Sequence, residues 1–200
     1  PTHYSFMSCL LLIQKSLREP FDGTTPVLAL IGCLTPNLFP TRTAQPVTFS
    51  DKSILLTGST GFLGAEVCRI FEGSGLKILK TQGRANSGFG ESYLDIASMG
   101  IPEIAGRLKT ENCLATFHFA TDFSQETDPT IAEQVCAANL VFAIKVAEAS
   151  ALAGVANFLN IASTWEWLRT ANSETSAPFP PYSASKQAFR TYLDHRFGPN

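Results

Sequence analysis

From residue 51 onward, short apolar runs alternate with stretches in which apolar residues recur at helical spacing. Ile54-Leu55-Leu56 is a compact apolar run, and Leu63, Val67, Ile70 and Phe71 after it fall on a helical period. The near-continuous apolar run of 113–120 fits a strand buried on both faces. The pattern predicts strands at 53–57, 77–81, 92–96, 113–120 and 157–162. It predicts helices at 62–72, closed by Gly73 and Gly75, and at 102–109 and 183–195. A longer helix is predicted from Asp128-Pro129, a capping residue followed by proline, to about residue 153. Strands alternating with helices imply an α/β architecture, a doubly wound parallel sheet with right-handed crossovers. Ligands in such sheets lie beyond the carboxyl ends of the strands, which directs attention to the residues there.

Residues 1–50 break this rhythm. They hold six of the 12 prolines and show no sustained period, with one short helix predicted at 8–18 and a linker at 41–45. They read as an N-terminal extension without an assigned role, and 51–200 as the domain. Pro1 in place of Met reads as an incomplete start. The apolar runs at 9–13 and 27–34 are much shorter than the roughly 20 residues that span a bilayer, so no membrane partner is expected. A formal net charge of −2 with a pI of about 5.9 gives no basic footprint for nucleic acid. The five cysteines include no Cys-x-x-Cys pair, and the three histidines are scattered at 3, 118 and 195. Reduced thiols in a cytoplasmic protein, with no metal site, are the expectation.

Thr57-Gly58-Ser59-Thr60-Gly61-Phe62-Leu63-Gly64 runs from the first predicted strand into the first predicted helix. In such a turn each glycine has its own task. Gly58 permits the tight bend, Gly61 lets main chain approach a phosphate, and Gly64 lets the helix lie close on the strand. The helix N-terminus then offers N–H groups and a positive dipole end to the anion.

Tyr182 and Lys186 are four residues apart at the start of the last helix, so phenol and ammonium share a face. A cation about 4 Å from a phenolate stabilises it by about 4 kcal/mol at an effective dielectric near 20, which eases loss of the phenolic proton. Such spacing is commonplace alone, but order along the chain adds weight. Ser163 follows the strand at 157–162, at the same sheet edge as the glycine turn, where a hydroxyl can hydrogen-bond a substrate oxygen whose charge changes. Thr164 is its backup.

Taken together, Thr57-Gly58-x-x-Gly61-Phe62-x-Gly64, His118-Phe119-Ala120, Asn139, Ser163 and Tyr182-x-x-x-Lys186 resemble the extended short-chain dehydrogenase/reductase family. Within it they are similar to the NAD(P)-dependent nucleotide-sugar epimerases and dehydratases. The resemblance covers about 53–197. It implies a Rossmann-like domain and an oxidoreductase or isomerase type of chemistry, with hydride moving between a sugar carbon and the nicotinamide. It implies that Tyr182 is the acid/base, that Lys186 binds the nicotinamide ribose and assists the tyrosine, and that Ser163 polarises the same substrate oxygen. Gly58, Gly61, Phe62, Leu63 and Gly64 would line the pyrophosphate turn. Asp95 and Ile96 would contact the adenine, while Phe119, Ala120 and Thr121 would run beside the adenosine ribose and phosphates. Asn139 would support the adjacent strands.

Two departures bear on that picture. Where the family carries an acid after the second strand, the best register here places Gln82, followed by Gly83 and Arg84. Losing a carboxylate and gaining a guanidinium favours a 2′-phosphate, hence NADP over NAD. The family also continues well past the lysine helix into further strands and a lobe that grips the nucleotide sugar, so Asn200 reads as a C-terminal truncation. A catalytically silent dinucleotide-binding module, or a reductase of a non-sugar hydroxy or keto compound, therefore stays open. The helix over 130–153 is apolar on most of its circumference, with Glu133, Lys145 and Glu148 its only charged residues. The family pairs this helix and the one at 183–195 across a two-fold, which implies a homodimer.

Overall fold

The structure is a computed structural model and describes residues 51–71, 74–81, 93–124, 128–163 and 180–198. The expectations for residues 1–50, Gln82, Arg84 and Thr164 lie outside the described residues. Five strands form one sheet: β1 (Ser53–Thr57), β2 (Lys77–Thr81), β3 (Tyr93–Leu94), β4 (Cys113–His118) and β5 (Asn157–Asn160). Their order is β3-β2-β1-β4-β5 and every pairing is parallel. This is the predicted doubly wound, Rossmann-like sheet. Register sets Thr57, His118 and Asn160 side by side at the carboxyl edge, with Thr81 beside Leu94 in the other half.

Helix α1 (Phe62–Phe71) follows β1 and buries Gly64, Val67 and Phe71. Phe71 meets Phe117 of β4 edge-to-face, so α1 covers the face that carries Leu56 and Phe117. The opposite face carries Leu55 and Leu79. Those residues pack with Leu94 of β3, with Ile104 and Leu108 of α2 (Ile101–Thr110), and with Val146 and Ala149 of α4 (Phe142–Ala153). Burying each such aliphatic side chain contributes about 1.5–3 kcal/mol, and this cluster holds the sheet to its helices. A buried polar pair crosses the same layer: Thr116 Oγ1 and Ser150 Oγ are 2.8 Å apart, and Ser150 also donates to the Val146 carbonyl.

The helix predicted from 128 to about 153 begins as expected. Asp128 accepts from the Thr130 N–H at 2.8 Å and Pro129 takes the first helical position of α3 (Pro129–Cys136). It closes at Gly154, whose φ of +77° suits glycine. It is not continuous, however. Ala137–Val141 form a π-helical turn between α3 and α4, and the widened turn carries Asn139 inward. By length and mean hydropathy, 1.6 over its best window, Pro129–Ala153 could cross a membrane. Its apolar character has a local cause: Ala143, Val146, Ala147 and Ala149 are core residues between sheet and neighbouring helices.

Helix α5 (Pro181–Phe197) starts two residues before the predicted 183, which places Tyr182 inside its first turn. Phe189 anchors it against Ala143 and Ala147. Its far end is clamped to α4 by Glu148, which accepts from the Tyr192 hydroxyl and from Arg196 Nε at 2.9 Å.

Candidate active site

The glycine turn is packed from behind and open in front. Gly58 has φ +70°, and a Cβ there would lie 2.6 Å from the Ala120 nitrogen and 2.7 Å from the Phe119 carbonyl carbon. The bend is therefore tight, as expected, and also pressed against the chain leaving β4. A Cβ on Gly64 would sit 2.1 Å from the Gly58 carbonyl oxygen, so only glycine lets α1 descend onto the turn. At Gly61 a Cβ would meet only the Gly58 oxygen, at 3.3 Å, and would otherwise project outward. The Gly61 N–H donates to the Gly58 carbonyl and the Ala65 N–H to the Gly61 carbonyl. Between them, the N–H groups of Phe62, Leu63 and Gly64 have no main-chain acceptor among the described residues. With no acid in the first turn of α1, that end keeps its positive dipole character. The buried Ser59 hydroxyl has no partner there either.

Thr57 locks the two sides of this edge together. Its Oγ1 accepts from the Phe119 N–H at 3.1 Å and the Ala120 N–H at 3.0 Å, and lies 2.9 Å from His118 Nδ1. With two donors already on the oxygen, its own hydrogen goes to Nδ1, which assigns His118 the neutral tautomer protonated at Nε2. The ring is 2% exposed and surrounded by Phe142, Phe158 and Phe189. Burial, helped by the Lys186 charge, pushes its pKa down to about 3. The unfolded chain takes this proton at about 6.5, so the stability is present above that pH and is lost as pH falls from about 6.5 toward about 3. The unfolding free energy from denaturant titrations should drop at up to about 1.4 kcal/mol per pH unit below 6.5, and His118→Gln should flatten the slope. An unchanged slope in the variant would assign the acid sensitivity elsewhere.

Asn139 joins this edge to α5. Its Oδ1 accepts from the Asp122 N–H at 2.7 Å and the Thr121 hydroxyl at 3.1 Å, while its Nδ2 donates to the Asp122 carbonyl and to Ser185 Oγ at 3.2 Å. Ser185 in turn donates to the Tyr182 carbonyl. The residue expected to support neighbouring strands thus braces the loop after β4 and the helix that carries Tyr182 and Lys186.

Tyr182 and Lys186 are both buried, 7% and 5% exposed. The Lys186 ammonium donates to the Ile161 carbonyl, two residues before the half-buried Ser163. The Tyr182 ring packs edge-on against Phe123, centroids 4.7 Å apart. Phe123 in turn lines a cleft of about 1190 Å³ at the carboxyl edge of the sheet. Gly58, Gly61, Phe62, Leu63 and Gly64 form one wall of that cleft, and Phe119, Ala120 and Thr121 form another. Asp95 lines it too, but Ile96, expected to contact the adenine beside it, does not: the whole residue is 1% exposed and packs into the core. Ser163, Tyr182 and Lys186 are not among the residues that line it, and Tyr182 touches the lining through Phe123. Sequence reasoning passed over Phe123, Asp122 and Lys145, all of which line the cleft. Leu63, which shares a helical period with Val67, is 37% exposed and lines the cleft, while Gly64 is buried.

Among the described residues no cluster of His, Cys, Asp and Glu could hold a metal. The cleft does suit a dinucleotide: a glycine that opens toward it, unpaired N–H groups at a helix N-terminus, and an unpartnered hydroxyl. The sequence profile of the NAD dependent epimerase/dehydratase family matches residues 54–196. The chain belongs to that family. No curated protein matches the sequence directly. Among solved structures, UDP-glucose-4-epimerase from Stenotrophomonas maltophila, with bound NAD and formylated UDP-arabinopyranose, superposes with a TM-score of 0.58 at 20% identity. The match covers 72% of this chain and 48% of that one. The Bordetella bronchiseptica enzyme WbmG in complex with NAD gives 0.55 at 23% identity, over 72% and 49%. UDP-glucuronic acid 4-epimerase from Bacillus cereus in complex with NAD gives 0.53 at 16%, over 72% and 53%. At these identities the likeness is one of fold, and the chain spans about half the length of these structures.

Proposed function

We propose that this epimerase/dehydratase family member binds NAD in the cleft and acts on a nucleotide sugar, with Tyr182 as the proton-transferring group. The observation that carries this reading is the Gly58–Gly64 turn. Two of its glycines are fixed by main-chain contact and the third opens onto the cleft, a division of labour that a purely structural turn does not need. Gly61 and the N–H groups of Phe62 and Leu63 would hold the pyrophosphate, and Asp95 the adenine end. When bound, the nicotinamide supplies hydride transfer to and from a sugar carbon. The chain's own share is proton handling. The Tyr182 phenol gives or takes a proton at the sugar oxygen, Ser163 hydrogen-bonds the same oxygen, and the Lys186 ammonium turns toward the ribose and the phenol. The structures named above hold NAD and two are named for UDP sugars, which supports this choice of cofactor and substrate class.

NAD should raise the melting temperature of the folded protein, by the equivalent of about 2.7 kcal/mol at 100 times its dissociation constant. No stabilisation by NAD or NADP would overturn the reading. Gln82 and Arg84 argue for a tighter fit to NADP, and equal affinity for the two would dismiss that argument. We also propose that two copies associate through the outward faces of α4 and α5, where Leu152 and Phe197 are exposed. Sedimentation showing only monomer at tens of micromolar would refute this.

A further inference from the structure

Phe123 is a large apolar side chain left 59% exposed, and it lines the cleft. Its ring lies edge-on to that of Tyr182, with centroids 4.7 Å apart and planes at 72°. Tyr182 itself is 7% exposed and does not line the cleft. The main chain that carries each ring is tied to one side chain, that of Asn139. Asn139 accepts from the Asp122 N–H and donates to the Asp122 carbonyl, which fixes the peptide entering Phe123. It also donates to Ser185 Oγ, and Ser185 donates to the Tyr182 carbonyl. The Asp122 carboxylate is held as well, accepting from Gln134 Nε2 at 2.8 Å. With the main chain pinned on both sides of the contact, the freedom left to Phe123 is rotation about its own side-chain torsions.

A phenol exchanges a proton with a ligand only within hydrogen-bond reach, about 2.6–3.2 Å. Phe123 is on the wall of the cleft and Tyr182 is not. We propose that Phe123 is a gate over Tyr182: in place its ring shields the phenol, and by turning aside it opens the phenol to a sugar in the cleft. This rests on Tyr182 being the proton-transferring group. An edge-to-face pair favours the closed position by only about two- to tenfold. Exposed side chains change rotamer within nanoseconds, so a ligand shifts that balance readily. While the gate is closed the sugar is excluded, and its apparent affinity falls by the fraction of molecules that are open. Phe123 is accordingly a positioning residue, acting on the reaction through access to Tyr182.

The test follows nitration of tyrosines by tetranitromethane, mapped by mass spectrometry, in the wild-type chain and in Phe123→Ala, Phe123→Val and Phe123→Trp. Tyr182 of the Phe123→Ala protein should react about two- to tenfold faster than in wild type. Tyr93 and Tyr192, both half-buried, should keep their wild-type rates. Phe123→Trp, which restores a shield, should return Tyr182 to the wild-type rate. If Phe123→Ala fails to fold, Phe123→Val removes the ring with a smaller loss of apolar bulk. No increase at Tyr182, or an increase shared by all three tyrosines, overturns the gate. A second measurement titrates UDP-glucose into the NADH-saturated protein by calorimetry. Phe123→Ala should bind it about two- to tenfold tighter than wild type, because no closed position competes. A residue that only packed against Tyr182 or the ligand would weaken binding when cut back, so equal or weaker binding also overturns the gate. A wild type that binds no UDP-glucose overturns the functional reading itself, and the nitration rates still decide whether Phe123 covers the phenol.

Discussion

Tyr182→Phe should lower turnover of a nucleotide sugar by about 10²–10⁴ or more while leaving NAD affinity almost unchanged. The reason is in the packing. The Tyr182 ring is buried against Phe123, and phenylalanine preserves that edge-to-face contact while removing only the transferable proton. Steady-state assays paired with dinucleotide titration separate the two quantities. Lys186→Ala should damage both, because one ammonium is assigned to the ribose and to the phenol. A Tyr182→Phe protein that matches wild-type turnover would remove Tyr182 from the chemistry. A wild type that binds NAD yet turns over no nucleotide sugar would favour a silent dinucleotide-binding module or a reductase of a non-sugar substrate.

The second large effect separates two glycines that look alike in the sequence. Gly64→Ala should destabilise the fold by about 3 kcal/mol, lowering the melting temperature by about 10 °C. Alanine normally favours a helix over glycine by about 1 kcal/mol, but here its methyl would lie 2.1 Å from the Gly58 carbonyl oxygen and 2.8 Å from Ser59 Cα. Main chain cannot yield cheaply, so α1 must lift off the sheet. Gly61→Ala should leave stability within about 1 kcal/mol and weaken NAD binding by tenfold or more, because its methyl projects into the space the phosphates need. Melting curves and dinucleotide titrations on both variants decide it. If Gly61→Ala binds NAD as tightly as wild type, the phosphates do not pass over that glycine.

Much of this architecture was legible in the chain because its signals are local. The apolar runs and the capping pair Asp128-Pro129 place β1, β2 and the start of α3 within a residue. What escaped depends on residues distant in sequence. β4 and β5 stop at His118 and Asn160, short of the 120 and 162 that their apolar runs suggest. At β4 the cause is visible: the Phe119 and Ala120 N–H groups turn to the Thr57 side chain. The Gly58 approach to that same segment is likewise invisible until β1 and β4 lie side by side. Lys145 looked like an isolated charge on an apolar helix, since its partners are the Ile96 and Ala97 main-chain carbonyls, which carry no side-chain signature. The break at 137–141 was hidden for a further reason. Ala-Ala-Asn-Leu-Val contains neither glycine nor proline, and only the inward bonds of Asn139 reveal it.

That widened turn also sets the angular phase of everything on either side of it. An α-helix advances about 100° per residue, so one residue accommodated in a π turn rotates the α3 face by about that angle relative to α4. In an unbroken helix, the orientation that points Val146 and Ala149 at the sheet would swing Val135 and the residues beside it away from their present neighbours. A single-residue deletion within 137–141 would therefore act less like a lost contact than like a gear slipped by one tooth, turning α3 out of mesh with α5 while α4 stays engaged.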